Sequence, residues 1–168
     1  MIVVPDAGPL IYLATAGHLD LLAMLYQRVV VPRVVYDEVV VAGAGQAGAE
    51  EVAAASWIEV MDGEPDADLA RFLDRGEAAA IPLAARLGAV LLSDHAAARG
   101  EARRRSLVVI GTLGVLLLAR NRGHVERILP VIERVKLAGM YVGEALIDEV
   151  AAAAGEGETR RSPNREPM

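Results

Sequence analysis

Five short runs of β-branched and aliphatic residues punctuate the chain, at positions 2–4, 29–31, 57–60, 89–92 and 107–110. They alternate little between apolar and polar, the pattern of strands buried on both faces of a parallel sheet. Helical periodicity fills the intervals. Leu10, Leu13, Leu21, Leu22 and Leu25 recur as apolar positions of a helical stretch over 9–26, and Pro32 opens a predicted helix running to about residue 41. The glycine-rich residues 43–48 predict a flexible connection. Residues 77–87 predict a helix ended by Gly88, a residue suited to C-capping, and 95–105 predict another. Helices over 112–122, 125–137 and 144–154 complete a helical C-terminal third. The short polar stretch 155–168 contains proline and predicts a disordered tail. No internal repeat is visible. The β-α alternation implies one α/β domain over 1–154, a doubly wound sheet with right-handed crossovers.

Composition narrows the class. At 168 residues the chain suits one well-cored domain, and 54% hydrophobic with only 4% aromatic residues suits small-residue helix packing. The absence of cysteine removes disulfides and thiolate metal sites and favours the cytoplasm. The apolar start is broken at once by Pro5 and Asp6 and carries no basic leader, so no signal peptide is expected. The longest other apolar run, 113–119, is far short of the ~20 residues that span a bilayer, so no membrane association is expected. A net charge of −6 argues against a surface that coats polyanions generally. It leaves nucleic-acid chemistry open, because a metal-holding nuclease needs clustered carboxylates.

The acids therefore need sorting by position. Asp6 directly follows the first predicted strand and Asp94 the fourth, where open α/β sheets bind ligands. Helix capping explains either one equally well. Two glutamates carry more weight. Val35, Glu38, Val39 and Ala42 share helical spacing, as do Glu77, Ala80, Ile81 and Ala84, so both glutamates are expected on stripes that face the sheet. Asp37 groups instead with Arg33 and points elsewhere. A carboxylate on a buried stripe is costly unless something pairs with it. Converging carboxylates raise each other's pKa, and a divalent cation removes the conflict. An oxygen-only donor set, with three histidines in the chain, favours Mg²⁺ or Mn²⁺ over zinc.

The segments VVPDAGPLIYLA, VPRVVYDEVV, LDRGEAAAIPLA, LLSDHAAAR and VVIGTLGVLL follow one another in this order. Together they resemble the successive blocks of PIN-domain proteins, in particular the VapC-like bacterial and archaeal branch. The resemblance runs from about residue 2 to 154. It implies a three-layer α/β/α fold with a parallel five-stranded sheet of order 3-2-1-4-5. It also implies that Asp6, Glu38, Glu77 and Asp94 occupy catalytic metal-binding positions, with Asp6 central and Asp94 opposite. The activity implied is Mg²⁺- or Mn²⁺-dependent hydrolysis of RNA phosphodiester bonds, as the toxin of a toxin–antitoxin pair. A cognate antitoxin is then an expected partner. The Ala-rich apolar helices suggest a homodimer.

The chain departs from the family pattern at two positions. Gly8 stands where many relatives carry Ser, and His95 stands where this branch often has a second acid beside Asp94. His95 reads either as a surface histidine, as a weakened second metal position, or as a phosphate contact. Pro82 falls inside the helix of Glu77 and predicts a bend or a late helix start. Arg99, Arg103, Arg104 and Arg105 crowd the helix after Asp94. Arg99 and Arg103 are candidate RNA contacts, against an ordinary solvated face paired with Glu101. Thr112, beside Gly111, is a candidate phosphate contact. The alternative to an enzyme is a non-catalytic PIN-like module that binds RNA or a protein.

Overall fold

A computed structural model describes residues 1–157. Five strands, β1 (Ile2–Pro5), β2 (Arg28–Pro32), β3 (Ile58–Met61), β4 (Val90–Leu92) and β5 (Val109–Ile110), form one all-parallel sheet of order β3-β2-β1-β4-β5. All five runs read as strands are strands, in the expected order. Successive side chains point to opposite faces, which explains why the runs barely alternate. Val3, Val29, Val31, Val90 and Leu92 enter one core, while Val4, Val30 and Leu91 enter the other.

The two covering layers are unequal. One face carries α1 (Ala7–Thr15), α2 (Leu21–Leu25), α7 (Thr112–Asn121), α8 (Leu129–Leu137) and α9 (Glu144–Ala153). The start of α3 (Arg33–Tyr36) and α4 (Ala49–Ala54) add Val35 and Val52 to the same core. The other face carries α5 (Arg75–Leu87) and α6 (Ala96–Arg104), which approach the sheet through Ala78, Ala80, Ala84, Ala98 and Ala102. Leu10, Leu13 and Leu22 are fully buried in the thicker layer. Truncating any of them to Ala is expected to cost about 2–5 kcal/mol. Among the described residues, no helix is long and apolar enough to cross a membrane.

Four local features differ from the expected elements, each for a visible reason. The helical stretch expected over 9–26 is two helices, because Gly17 adopts φ +78° and closes α1. The His18 N–H reaches the Leu13 carbonyl at 2.8 Å and the Gly17 N–H reaches Ala14 at 3.0 Å, a Schellman end. After α3 the backbone widens into a π-helical segment, Asp37–Ala42, which breaks the 3.6-residue period on which Glu38 was placed. The helix expected from residue 125 begins only at Leu129, with Pro130 in its first turn. Finally, α4 and a 3₁₀ turn at Leu69–Arg71 lack apolar stripes strong enough to show in the sequence.

Pro82 neither delays nor ends its helix, since α5 runs continuously from Arg75 to Leu87 and stops at Gly88 as expected. Proline at 82 leaves the Ala78 carbonyl without its helical donor. The Asp66 N–H fills that vacancy at 3.0 Å. Asp66 in turn accepts from the N–H groups of Asp68 and Leu69 through Oδ1, so the proline helps to pin the loop that leads into α5. At the other end of the domain, Glu156 lies in the stretch expected to be a disordered tail. It is instead buried and accepts the N–H groups of Ile128 and Leu129 at 2.7 and 3.0 Å, capping α8 from 28 residues downstream. The ordered body thus extends past residue 154, and 158–168 lie outside the described residues.

Candidate functional site

The site lies beyond the carboxyl ends of β1 and β4, where the strand order reverses. Asp6 follows β1 directly. Its backbone N–H donates to the Leu92 carbonyl at 2.9 Å, tying it to the end of β4. Its Oδ1 accepts the Ala7 N–H at 2.8 Å as the N-cap of α1. Capping and membership of the acidic cluster therefore coexist in Asp6.

Across from it, α5 starts with a reciprocal capping box. The Glu77 N–H donates to Asp74 Oδ1 at 2.7 Å, and the Asp74 N–H donates to Glu77 Oε2 at 3.2 Å. Glu77 is buried, as expected, and its Oε1 lies 2.7 Å from His95 Nδ1. Asp6, Asp74 and Glu77 each offer one oxygen within 4.8 Å of the others. Asp74 was not singled out from the sequence, although the Asp74-Arg75-Gly76-Glu77 spacing carries the capping-box signal that would have found it.

Glu38 joins this group from the side. It is exposed rather than inward, because the buried stripe of its segment consists of Val35 and Val39. Its carboxylate nonetheless leans over Gly76. A Cβ at position 76 would stand 3.2 Å from Glu38 Oε2 and 3.3 Å from Asp6 Oδ1, so the glycine lets α5 approach both acids.

Crowding shows in the proton affinities. Burial, reinforced by the charges of Asp74, Glu77 and Glu38, pushes the Asp6 carboxyl up from 3.8 to about 7 against the lowering effect of the Ala7 N–H. Glu38 is raised as well, by partial desolvation of its carboxylate and then by the charges of Asp74 and Glu77. A buried carboxyl among like charges, with convergent oxygens and no thiolate or amine, fits a hard divalent cation. Asp6, Asp74 and Glu77 could hold one, with Glu38 at the edge.

Asp94 is arranged differently. The Thr112 N–H donates to its Oδ1 at 2.8 Å and the Thr112 hydroxyl donates to Oδ2 at 2.6 Å, so both oxygens anchor the start of α7. Thr112 is fully buried and turned to Asp94, not to an external phosphate. Arg99 donates from Nη1 to the Ser93 carbonyl at 2.8 Å and stands beside Asp94 over Gly111, where an added Cβ would be 2.9 Å from each side chain. Burial and the neighbouring Arg103 lower the Arg99 pKa, while Asp94 raises it. Arg103 is exposed on the outer side of α6, and Arg104 and Arg105 pair with Glu101. Arg33 pairs with Asp62, not Asp37.

These groups share a cleft of about 540 Å³ that includes Asp6, Glu38, Asp74, Asp94 and His95, with Tyr12, Met140 and Tyr141 completing its wall. The structure thus brings Asp6, Glu38, Glu77 and His95 into one cluster and lines the same cleft with Asp94. It engages Thr112 and Arg99 within the fold and leaves Arg103 on the surface. The histidine at 95, read from the sequence with three alternatives, is a direct partner of Glu77.

A parallel doubly wound sheet with a carboxylate cluster at its switch point defines a class of α/β proteins that concentrate acidic ligands at strand ends. Within that class, the model of the family described as "DUF3368: PIN domain" matches residues 2–156, and the chain belongs to this PIN-domain family. Two solved structures are similar at low sequence identity. One is a PilT N-terminus domain protein from the hyperthermophilic archaeon Sulfolobus solfataricus P2, at 14% identity and TM-score 0.47, covering 86% of this chain and 98% of that one. The other is VapBC2 from Rickettsia felis bound to a DNA fragment from their promoter, at 13% identity and TM-score 0.48, covering 66% of this chain and 98% of that one. No curated protein matches the chain in sequence.

Proposed function

We propose that this protein is a Mg²⁺- or Mn²⁺-dependent endoribonuclease, the toxin of a toxin–antitoxin pair. The carrying observation is the convergence of Asp6, Asp74 and Glu77 oxygens within 4.8 Å at the mouth of the sheet, with Asp6 raised to about 7. A divalent ion held by Asp6, Asp74 and Glu77 would supply an activated water and neutralise charge on the phosphoryl oxygens. The chain's own contribution is to hold and aim. Asp6, fixed by Leu92 and Ala7, forms the floor of the site. The capping box sets Asp74 and Glu77 at a rigid helix start, and His95 fixes the rotamer of Glu77. Asp94 orients α7 through Thr112 and lines the cleft opposite Asp6.

The test is cleavage of an RNA pool with Mg²⁺ or Mn²⁺, its loss in chelator, and its loss in Asp6→Asn. Intact RNA in every metal would sink the enzyme reading. One observation favours the alternative of a non-catalytic RNA- or protein-binding module: both Asp94 oxygens and both Glu77 oxygens already have protein partners. RNA binding without cleavage, insensitive to metal, is the result that reading requires. A cytoplasmic homodimer with RNA as substrate and an antitoxin as partner completes the proposal. Sedimentation of the purified chain tests the dimer, and co-expression with the product of the adjacent reading frame tests the partnership.

A further inference from the structure

Aromatic side chains are scarce in this chain, which has one Trp, four Tyr and one Phe. Two of the tyrosines nevertheless border the acidic cleft, and they come from distant parts of the chain. Tyr12, on α1, is half-buried in the wall. It lines the same cleft as Asp6 and Asp94. Tyr141 belongs to the connection between α8 and α9 and is 93% exposed, while its neighbour Met140 packs part-buried into the same wall.

That exposure separates Tyr141 from the fold. Tyr26 is buried in the core and Tyr36 packs against it, so their positions are accounted for by packing. Tyr141 gains almost no such burial. Its chemistry suits what the acids cannot handle. Carboxylates with a divalent ion engage the phosphodiester, but the flanking base is a flat π surface that carboxylates do not grip. An uncharged aromatic face stacks on any base and tolerates any sequence. Unpaired bases can be splayed onto such a face, whereas bases inside a duplex are already stacked.

We propose that Tyr141 is the residue that seats an unpaired base next to the scissile phosphate, stacking it at the rim of the cleft that holds Asp6 and Glu38. This rests on the ribonuclease reading for its substrate class, and it adds a substrate-contacting residue outside the acidic cluster. The high exposure of Tyr141 makes its variants safe for folding.

The experiment compares Tyr141→Ala, Tyr141→Phe and Tyr141→Leu in two backgrounds. In Asp6→Asn protein, fluorescence anisotropy reads the binding of a short labelled single-stranded RNA of mixed sequence and of its duplex. In otherwise unaltered protein, kcat and KM are read on the same single strand. The alanine variant is expected to weaken single-strand binding about tenfold, or ~1.4 kcal/mol, within the range known for base stacking. KM should rise to match, with kcat within about twofold, since stacking acts equally on ground and transition states. Phenylalanine should restore binding, leucine should restore it only in part, and duplex binding should not move. Leu137→Ala, at another exposed apolar side chain outside the cleft, serves as the control.

Unchanged single-strand affinity in the alanine variant overturns the proposal, as does an equal loss on duplex. No single-strand binding by any protein overturns it too. A change of oligomeric mass shared by the Tyr141 and Leu137 variants would assign the residue to a protein interface and likewise overturn it. The two readings fail separately. Cleavage that ignores Tyr141 removes the base seat and leaves the nuclease, whereas Tyr141-dependent binding without cleavage in any metal removes the nuclease and leaves the base seat.

Discussion

Asp6 and Asp94 follow neighbouring strands and occupy equivalent places at the edge of the sheet, yet the fold treats them in opposite ways. Around Asp6 the carboxylates of Asp74, Glu77 and Glu38 gather, its side chain accepts one backbone N–H, that of Ala7, and its pKa rises to about 7. Around Asp94 the donors gather: Thr112 supplies an N–H and a hydroxyl, and Arg99 stands alongside. One side crowds carboxylates together, and the other meets a carboxylate with donors that hold the start of α7. Position at a strand end thus does not by itself decide which partners a carboxylate meets. The neighbours on the crossing helices decide whether a strand-end carboxylate meets further carboxylates or hydrogen-bond donors.

Substitution at Asp6 should expose this contrast most strongly. Asp6→Asn is expected to reduce metal-dependent RNA hydrolysis by about 10³-fold, while raising the Tm of the metal-free protein because a buried like charge is gone. The pH dependence supplies the sign. The folded pKa of Asp6 lies above its unfolded value, so the folded state keeps a proton that the unfolded state releases between about pH 4 and pH 7. Its stabilising contribution is therefore present below that window and lost as pH rises through it. Metal-free protein should lose Tm across the window, Mn²⁺ should restore it, and Asp6→Asn should flatten the profile. A pH-independent Tm in the unaltered metal-free protein would contradict the crowding argument.

Asp74 separates charge from capping. Asn keeps the N-cap and Ala removes it, so Asp74→Asn should lose activity by about 10²-fold with little change in stability, whereas Asp74→Ala should also lose about 0.5–2 kcal/mol. Equal unfolding midpoints for the two variants in urea would mean that the capping box contributes nothing.

On the satisfied side, Thr112→Val removes the hydroxyl from Asp94 Oδ2 and leaves a part-buried acceptor without it. The expected loss is about 1–3 kcal/mol of stability, with no more than about tenfold in kcat. A loss of activity as deep as that of Asp6→Asn, at intact stability, would erase the distinction drawn between the two aspartates. The smallest effect belongs far from the site. Glu156→Gln keeps one acceptor for the start of α8 and should cost about 1 kcal/mol or less, readable by thermal unfolding, with hydrolysis unaffected.

Much of this architecture is legible in the chain. The five apolar runs name the five strands because a strand buried on both faces has no polar positions to alternate with, as Val3 and Val4 show by entering opposite cores. Glu77 is legible because a carboxylate in an otherwise apolar alanine stripe has to find a partner. Glu38 was read as inward for the same reason and is not, since periodicity presumes a regular helix and the backbone widens to a π-helix at Asp37. The break at Gly17 was missed because a single glycine interrupts the apolar pattern too briefly to stand out.

What the amino-acid order determined alone is therefore local: which segments are strands, where Asp6 and Asp94 sit relative to them, and that the start of α5 carries a buried glutamate. Local signals suffice there because burial and backbone propensity act over a few residues. The tertiary structure alone decided the partnerships. It brought Asp74 into reach of Asp6, laid Glu38 over Gly76, gave Glu77 to His95 and Asp94 to Thr112, and set Tyr141 at the rim of the acidic cleft. Those pairs are separated by 18 to more than 60 positions along the chain, and coulombic and hydrogen-bond terms depend on distance in space, which no short window of sequence records.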